Sequence, residues 1–115
     1  MELRQQRDLV KIPPLIEDNL LRIGQEALTN AVKHAHAGRL KIELIITLDR
    51  VILMIIDNGC GMELGEDSLV RPGHFGVLGM YERASRIGGK LKIASAPNCG
   101  CTVSVEVPLR NASAL

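Results

Sequence analysis

The sequence predicts an α+β two-layer sandwich, a mixed but mostly antiparallel sheet with helices on one face. Three observations carry this expectation. An apolar stripe at helical spacing runs through residues 15–37. Residues 40–56 and 91–107 each divide into two short β-like segments, as hairpins do. A second helical stretch, residues 76–87, lies between them. The order helix, hairpin, loop, helix, hairpin places the helices together on one side of a sheet.

A chain of 115 residues fits one domain, residues 1–115, with a single core and no separate functional module. A net charge of +1 creates no broad field for nucleic acid or an anionic membrane, so neither is an expected partner. Aromatic residues make up only 2%, which leaves no platform for stacking bases and builds the core from Leu, Ile, Val, Ala and Met. Cys60, Cys99 and Cys101 are an odd number with no signal peptide ahead of them, which suits free thiols in a reducing, cytoplasmic setting. Together with His34, His36 and His74 they lack paired Cys-x-x-Cys spacing, and a metal centre built on them is not expected. The longest wholly apolar run, Val51 to Ile56, falls far short of the ~20 residues that cross a bilayer.

The chain opens on a polar, basic stretch whose end, Leu9 to Ile12, has the pattern of a short edge strand, stopped by Pro13-Pro14. Ile16, Leu20, Ile23, Ala27, Ala31 and Ala35, with Leu21, Leu28 and Val32, then mark one wide helix face. Arg22, Glu26, Thr29, Asn30 and Lys33 form the opposite strip, and Gly38 is the expected C-cap. Leu40 to Leu48 alternates as a strand with one wet face, Asp49-Arg50 turns the chain, and Val51 to Ile56 reads as a central strand buried on both faces. Glu63 to Phe75, with Gly65, Pro72 and Gly73 and no sustained period, reads as a mobile loop able to act as a lid. Gly76 to Ile87 is helical and closed by Gly88-Gly89, and Leu91 to Ala96 and Val103 to Val107 are the last two strands.

Three features carry chemistry. Glu26 and Asn30 are spaced i and i+4, with Lys33 beyond, so a carboxylate, an amide oxygen and an ammonium share one strip. Asn30 is a candidate magnesium ligand, since that ion takes oxygen donors and keeps its other places for water and phosphate. Asp57-Asn58-Gly59-Cys60-Gly61-Met62 follows the central strand, and its carboxylate is an acceptor suited to an amine beside a glycine-loosened backbone. Alone, such a stretch is ordinary turn chemistry. Gly73-His74-Phe75-Gly76-Val77-Leu78-Gly79 leads straight into a helix, whose first N–H groups favour phosphate.

In this order the segments RIGQEALTNAVKHA from Arg22, DNGCGM from Asp57, GHFGVLGMYERA from Gly73 and IGGKLKIASAPNCGCTVSVEVPL from Ile87 resemble the ATP-binding catalytic domain of sensor histidine kinases. Among these the chain most resembles the nitrate-sensor and desaturase-thermosensor subfamily of the gyrase, Hsp90 and MutL superfamily, over nearly its whole length. The resemblance implies the Bergerat-type ATP-binding fold, with ATP and Mg2+ as cofactors. It implies that Asn30 coordinates the ion and that Asp57 holds the adenine amine. Gly59, Gly61 and Met62 would shape the adenine floor, while Gly76, Val77, Gly79 and Met80 would belong to the turn and helix at the phosphates. Lys33 and His74 would reach phosphate oxygens, and Glu26 matches the position that polarises a nucleophile. Cys101 stands where the family carries a threonine hydroxyl near adenine, with Thr102 as its neighbour, and Tyr81 where an arginine is common.

The implied partner is a phosphoacceptor and dimerisation domain bearing a histidine, with a response regulator served indirectly. No room for that domain exists before Ile12, so the chain is expected to be a fragment or a stand-alone copy of a cytosolic module. An anti-sigma-type serine kinase shares the fold, but the GMYERASRIGG helix argues against it. A nucleotide-gated binding module without phosphotransfer is the remaining alternative.

Overall fold

The computed structural model describes residues 2–8, 10–34, 38–59, 75–95 and 100–109. Among them the elements are β1 (Glu2–Arg7), α1 (Pro14–Thr29), β2 (Leu40–Ile46), β3 (Arg50–Asp57), α2 (Phe75–Arg86), β4 (Lys90–Ser95) and β5 (Cys101–Pro108). The strands form a five-stranded sheet in the order β1-β2-β3-β5-β4, with β1 parallel to β2 and every other pair antiparallel. Both helices contribute to one core with a single face of that sheet. The α+β two-layer sandwich is therefore the fold.

Helix α1 starts at Pro14, whose missing N–H costs nothing in the first turn, and Pro13 before it is extended. Its stripe of Leu20, Ile23, Ala27 and Ala31 is buried, but Leu21 and Val32 are exposed, so the apolar face is narrower than the sequence suggests. Beyond Thr29 the backbone widens into a π-helical turn, Asn30–His34, where an α-helix running to Ala37 was expected. Residues 35–37, which bear on the Gly38 cap, lie outside the described residues.

The edge strand is Glu2–Arg7 rather than Leu9 to Ile12. Its residues are all exposed, so it is held by its ladder to β2 and carries no apolar periodicity to betray it. Val10 and Ile12 instead pack against the core from the connection into α1. Strand β2 ends at Ile46 because Thr47 folds the chain back: its hydroxyl accepts the N–H groups of Asp49 and Arg50 at 3.2 and 3.1 Å. Leu48, expected on the inner face, is 72% exposed in that turn.

Strand β3 lies at the centre of the sheet but is buried on one face only. Val51, Leu53 and Ile55 face the helices, while Ile52, Met54 and Ile56 are half-buried on the other side, since no described helix covers that side. Helix α2 ends in a Schellman motif. Gly88 takes φ of 69°, the Gly89 N–H reaches the Ala84 carbonyl at 2.8 Å, and the Gly88 N–H reaches that of Ser85 at 3.2 Å. The chain then enters β4 directly.

Ile23, fully buried on α1, meets this core at its middle. Ile23→Ala should cost about 2–5 kcal/mol, lowering the urea midpoint without changing the slope. A loss below about 1 kcal/mol would show that the helix does not seat there.

Candidate functional site

Asp57 is the last residue of β3, and alternation puts it on the helix-facing side in line with Val51, Leu53 and Ile55. One carboxylate oxygen, Oδ1, accepts the Gly59 N–H at 2.8 Å, closing a tight turn. Asn58 braces that turn, its Oδ1 accepting the Arg39 N–H at 2.7 Å while its own N–H reaches the Arg39 carbonyl at 3.3 Å. Across the ladder Asp57 pairs with Cys101. Gly100, with φ of 77°, lets β5 enter so close that any β-carbon there would overlap the Asp57 carbonyl oxygen. Ser95 on β4 donates to the Gly100 carbonyl at 3.1 Å.

Cys101 is buried, and its burial pushes the thiol above its ordinary pKa. The neighbouring Asp57 carboxylate pushes the same way, and a hydrogen bond with Ser95 opposes them. Thr102 is not brought to this cluster: it pairs with Ile56 and Ala94, and its side chain belongs to the opposite face of the sheet.

A second group lies between the helices, in a polar cleft of about 390 Å³ lined by Arg22, Glu26, Gly76, Gly79, Met80 and Arg83 with Gln25 and Thr29. The Glu26 carboxylate lies over the Cα of Gly76, and a β-carbon at residue 76 would collide with it. Glycine is needed there because of this contact. Gly79 has open space around it, so the same requirement does not apply. Val77 and Met80 are buried and serve the core, although Met80 also lines the cleft floor.

Asn30 is 9% exposed at the junction of α1 and the π turn, one turn beyond Glu26, and its N–H is shared between the carbonyls of Glu26 and Ala27. Lys33 follows inside the π turn. Gly61, Met62 and His74, with the expected lid as far as residue 74, lie outside the described residues, while Phe75, its expected last residue, begins α2. Reading the sequence alone missed Arg83 and the Gly100–Ser95 contact. The first was discoverable as the residue two turns after Gly76 on one helix face. A separate groove of about 300 Å³, on the other side of α1 against β2 and β3, is almost wholly apolar and gathers no comparable polar set.

This fold, with its acidic strand end and its glycine-bearing second helix, defines a nucleotide-binding class: the chain belongs to the family of histidine kinase-, DNA gyrase B- and HSP90-like ATPases, whose model matches residues 16–111. Among its relatives are the signal transduction histidine-protein kinase/phosphatase DegS of Bacillus subtilis, 39% identical over 99 residues, and the sensor protein VraS of Staphylococcus haemolyticus, 37% identical over 99 residues. Those matches cover 86% of this chain but only 26% and 28% of the relatives, so the chain spans about a quarter of their length. In fold it is similar to the histidine kinase domain of a blue-light activated kinase from Erythrobacter litoralis, with a TM-score of 0.66 and 22% identity over 94% of this chain and 51% of that one. It is similar also to the Acinetobacter baumannii histidine kinase AdeS, with a TM-score of 0.69 and 19% identity over 96% of this chain and 56% of that one.

The raised thiol at Cys101 makes stability depend on pH. The folded state holds this proton more tightly than the unfolded state, so the contribution is whole below the ordinary thiol pKa and is lost as pH rises from there through the raised value. Urea midpoints of the wild type should therefore fall more steeply on the alkaline side than those of Cys101→Thr. Parallel curves for the two proteins would contradict the buried, Asp57-facing placement.

Proposed function

We propose that this chain is the ATP-binding catalytic domain of a two-component sensor histidine kinase, which binds Mg-ATP and passes the γ-phosphoryl group to a histidine on a separate phosphoacceptor and dimerisation domain. A response regulator would be served through that histidine. The observation that carries the reading is the Glu26 carboxylate lying over Gly76 at the start of α2, one turn from Asn30 and inside a polar cleft. Membership of an ATPase family and kinship with sensor kinases support it. Among the described residues no helix is long and apolar enough to cross a membrane. Use of ATP would place the domain on the cytosolic side.

At the adenine end, Asp57 accepts the Gly59 N–H with one oxygen, and its other oxygen, which has no hydrogen-bond partner among the described residues, would accept a hydrogen bond from the adenine amine. Gly59 keeps the adjoining backbone low, and Cys101 closes the inner wall with a neutral thiol. At the phosphate end, the first turn of α2 supplies N–H groups, and Gly76 lets the Glu26 carboxylate stand beside them. Asn30, one helical turn beyond Glu26, would offer an amide oxygen, a sparse donor set that fits a magnesium ion holding mainly water and phosphate oxygens. When bound, that ion neutralises charge on the phosphates. Gly61, Met62, Lys33 and His74 complete the proposed nucleotide contacts.

Transfer breaks the bond from the γ-phosphorus to the bridging oxygen and forms a bond to an imidazole nitrogen, leaving ADP. Glu26 would accept the hydrogen bond of the other imidazole nitrogen, and so turn the lone pair toward phosphorus and take up the proton released.

Asp57→Asn should weaken ATP binding about tenfold or more with the fold unchanged. With Oδ1 held by Gly59, the new amide NH2 would be turned against the adenine amine. Calorimetry showing wild-type affinity would remove Asp57 from the adenine site. Asn30→Ala should abolish the dependence of ATP binding on Mg2+ while circular dichroism stays unchanged, and an undiminished dependence would return Asn30 to a structural role.

A further inference from the structure

Arg22 and Arg83 line the same cleft as Glu26 and have no part in the nucleotide contacts above. Arg22 lies one turn before Glu26 on α1, and Arg83 two turns after Gly76 on α2. Glu26 meets Gly76 while Arg22 shares the cleft with Arg83, so the two helices pass antiparallel and both guanidinium groups gather at the end remote from Asn30. With a rise of 1.5 Å per residue, Glu26 stands roughly 6 Å and Arg22 roughly 12 Å from Asn30 along the axis. Phosphate donors belong to the near end, at Asn30 and the first turn of α2. The arginines therefore face what approaches from beyond Glu26.

The ion pairs among the described residues are Lys41 with Glu43 and Arg50 with Glu106, so neither cleft arginine is neutralised by a carboxylate there. Arg22 is exposed and Arg83 half-exposed. Among the described residues lining the cleft, two guanidinium groups stand against the one carboxylate of Glu26, and the forked geometry of guanidinium matches a carboxylate in two parallel hydrogen bonds.

We propose that Arg22 and Arg83 are the docking pair for an acidic side chain on the segment that carries the acceptor histidine, and that this pairing brings the imidazole to Glu26. The inference rests on the reading of the cleft as a phosphotransfer site. The arginines are positioning residues: they touch the partner and leave the reacting atoms to other groups.

The test is phosphoryl transfer from this chain, with radiolabelled ATP, to full-length DegS and full-length VraS whose own nucleotide sites have been inactivated. Arg22→Glu and Arg83→Glu should each raise the KM for the acceptor about tenfold or more, keep most of kcat at saturating acceptor, and leave ATP and ADP affinities unchanged. Arg22→Lys and Arg83→Lys, which retain the charge but lose the fork, should recover only part of the loss. Added salt should raise the wild-type KM toward that of the charge-reversed variants. An unchanged KM in both charge reversals would overturn the proposal. So would a loss of ATP affinity with ADP affinity intact, which would put the arginines on the γ-phosphoryl group instead. If the wild-type chain binds ATP yet transfers nothing to either acceptor, the phosphotransfer reading itself falls and takes this proposal with it.

Discussion

The alternation of β3 under a one-sided helical layer is the constraint on which the rest depends. Val51, Leu53 and Ile55 must point toward α1 and α2 to be buried, and the two-residue period then leaves Asp57 pointing the same way where the apolar run stops. A carboxylate is thereby delivered to the mouth of the space between the layers without any dedicated loop to carry it. Strand β5 repeats the parity, with Val107, Val105 and Val103 leading inward to Cys101. The two strand ends meet on the inner face because their ladder is in register at Asp57 and Cys101.

Two glycines then set how closely the parts approach. Gly100 lets β5 begin against the Asp57 carbonyl, and Gly76 lets α2 begin against the Glu26 carboxylate. In each case the missing β-carbon is replaced by a polar group of a neighbouring element, so both ends of the site are shaped by backbone proximity rather than by large side chains. That economy suits a chain with so few aromatic residues.

Legibility from sequence followed burial. The helical stripe of Leu20, Ile23 and Ala27 and the alternation of Val103, Val105 and Val107 were readable because each records one buried face. Strand β1 was not, since an edge strand exposed along its length is held by backbone hydrogen bonds that leave no apolar trace. The π turn was hidden for a similar reason: a change of backbone winding at Asn30 needs no change in residue type. Glu26 and Asn30 could be matched by helical spacing, and Arg83 likewise shares a helix face with Gly76, but that those two faces meet in one cleft follows from the packing of helices distant in sequence. The side-chain direction of Thr102, by contrast, was implied by its alternating neighbours and could have been read from them.

The sheet has a second consequence, for how copies of the chain behave toward each other. Its outer face presents the half-buried Ile52, Met54 and Ile56, and its two edges among the described residues, β1 and β4, each pair with one neighbouring strand there. Those edges carry Glu2, Arg4 and Arg7 on one side and Lys90 and Lys92 on the other. Adding a further strand to either edge would bring it alongside charged side chains, as natural sheets commonly arrange at their margins. Lys41 and Glu43, and Arg50 and Glu106, form ion pairs on the outer face around the apolar patch. Colloidal order in this protein is thus guarded by a thin fence of charge, drawn around a surface that would otherwise invite stacking.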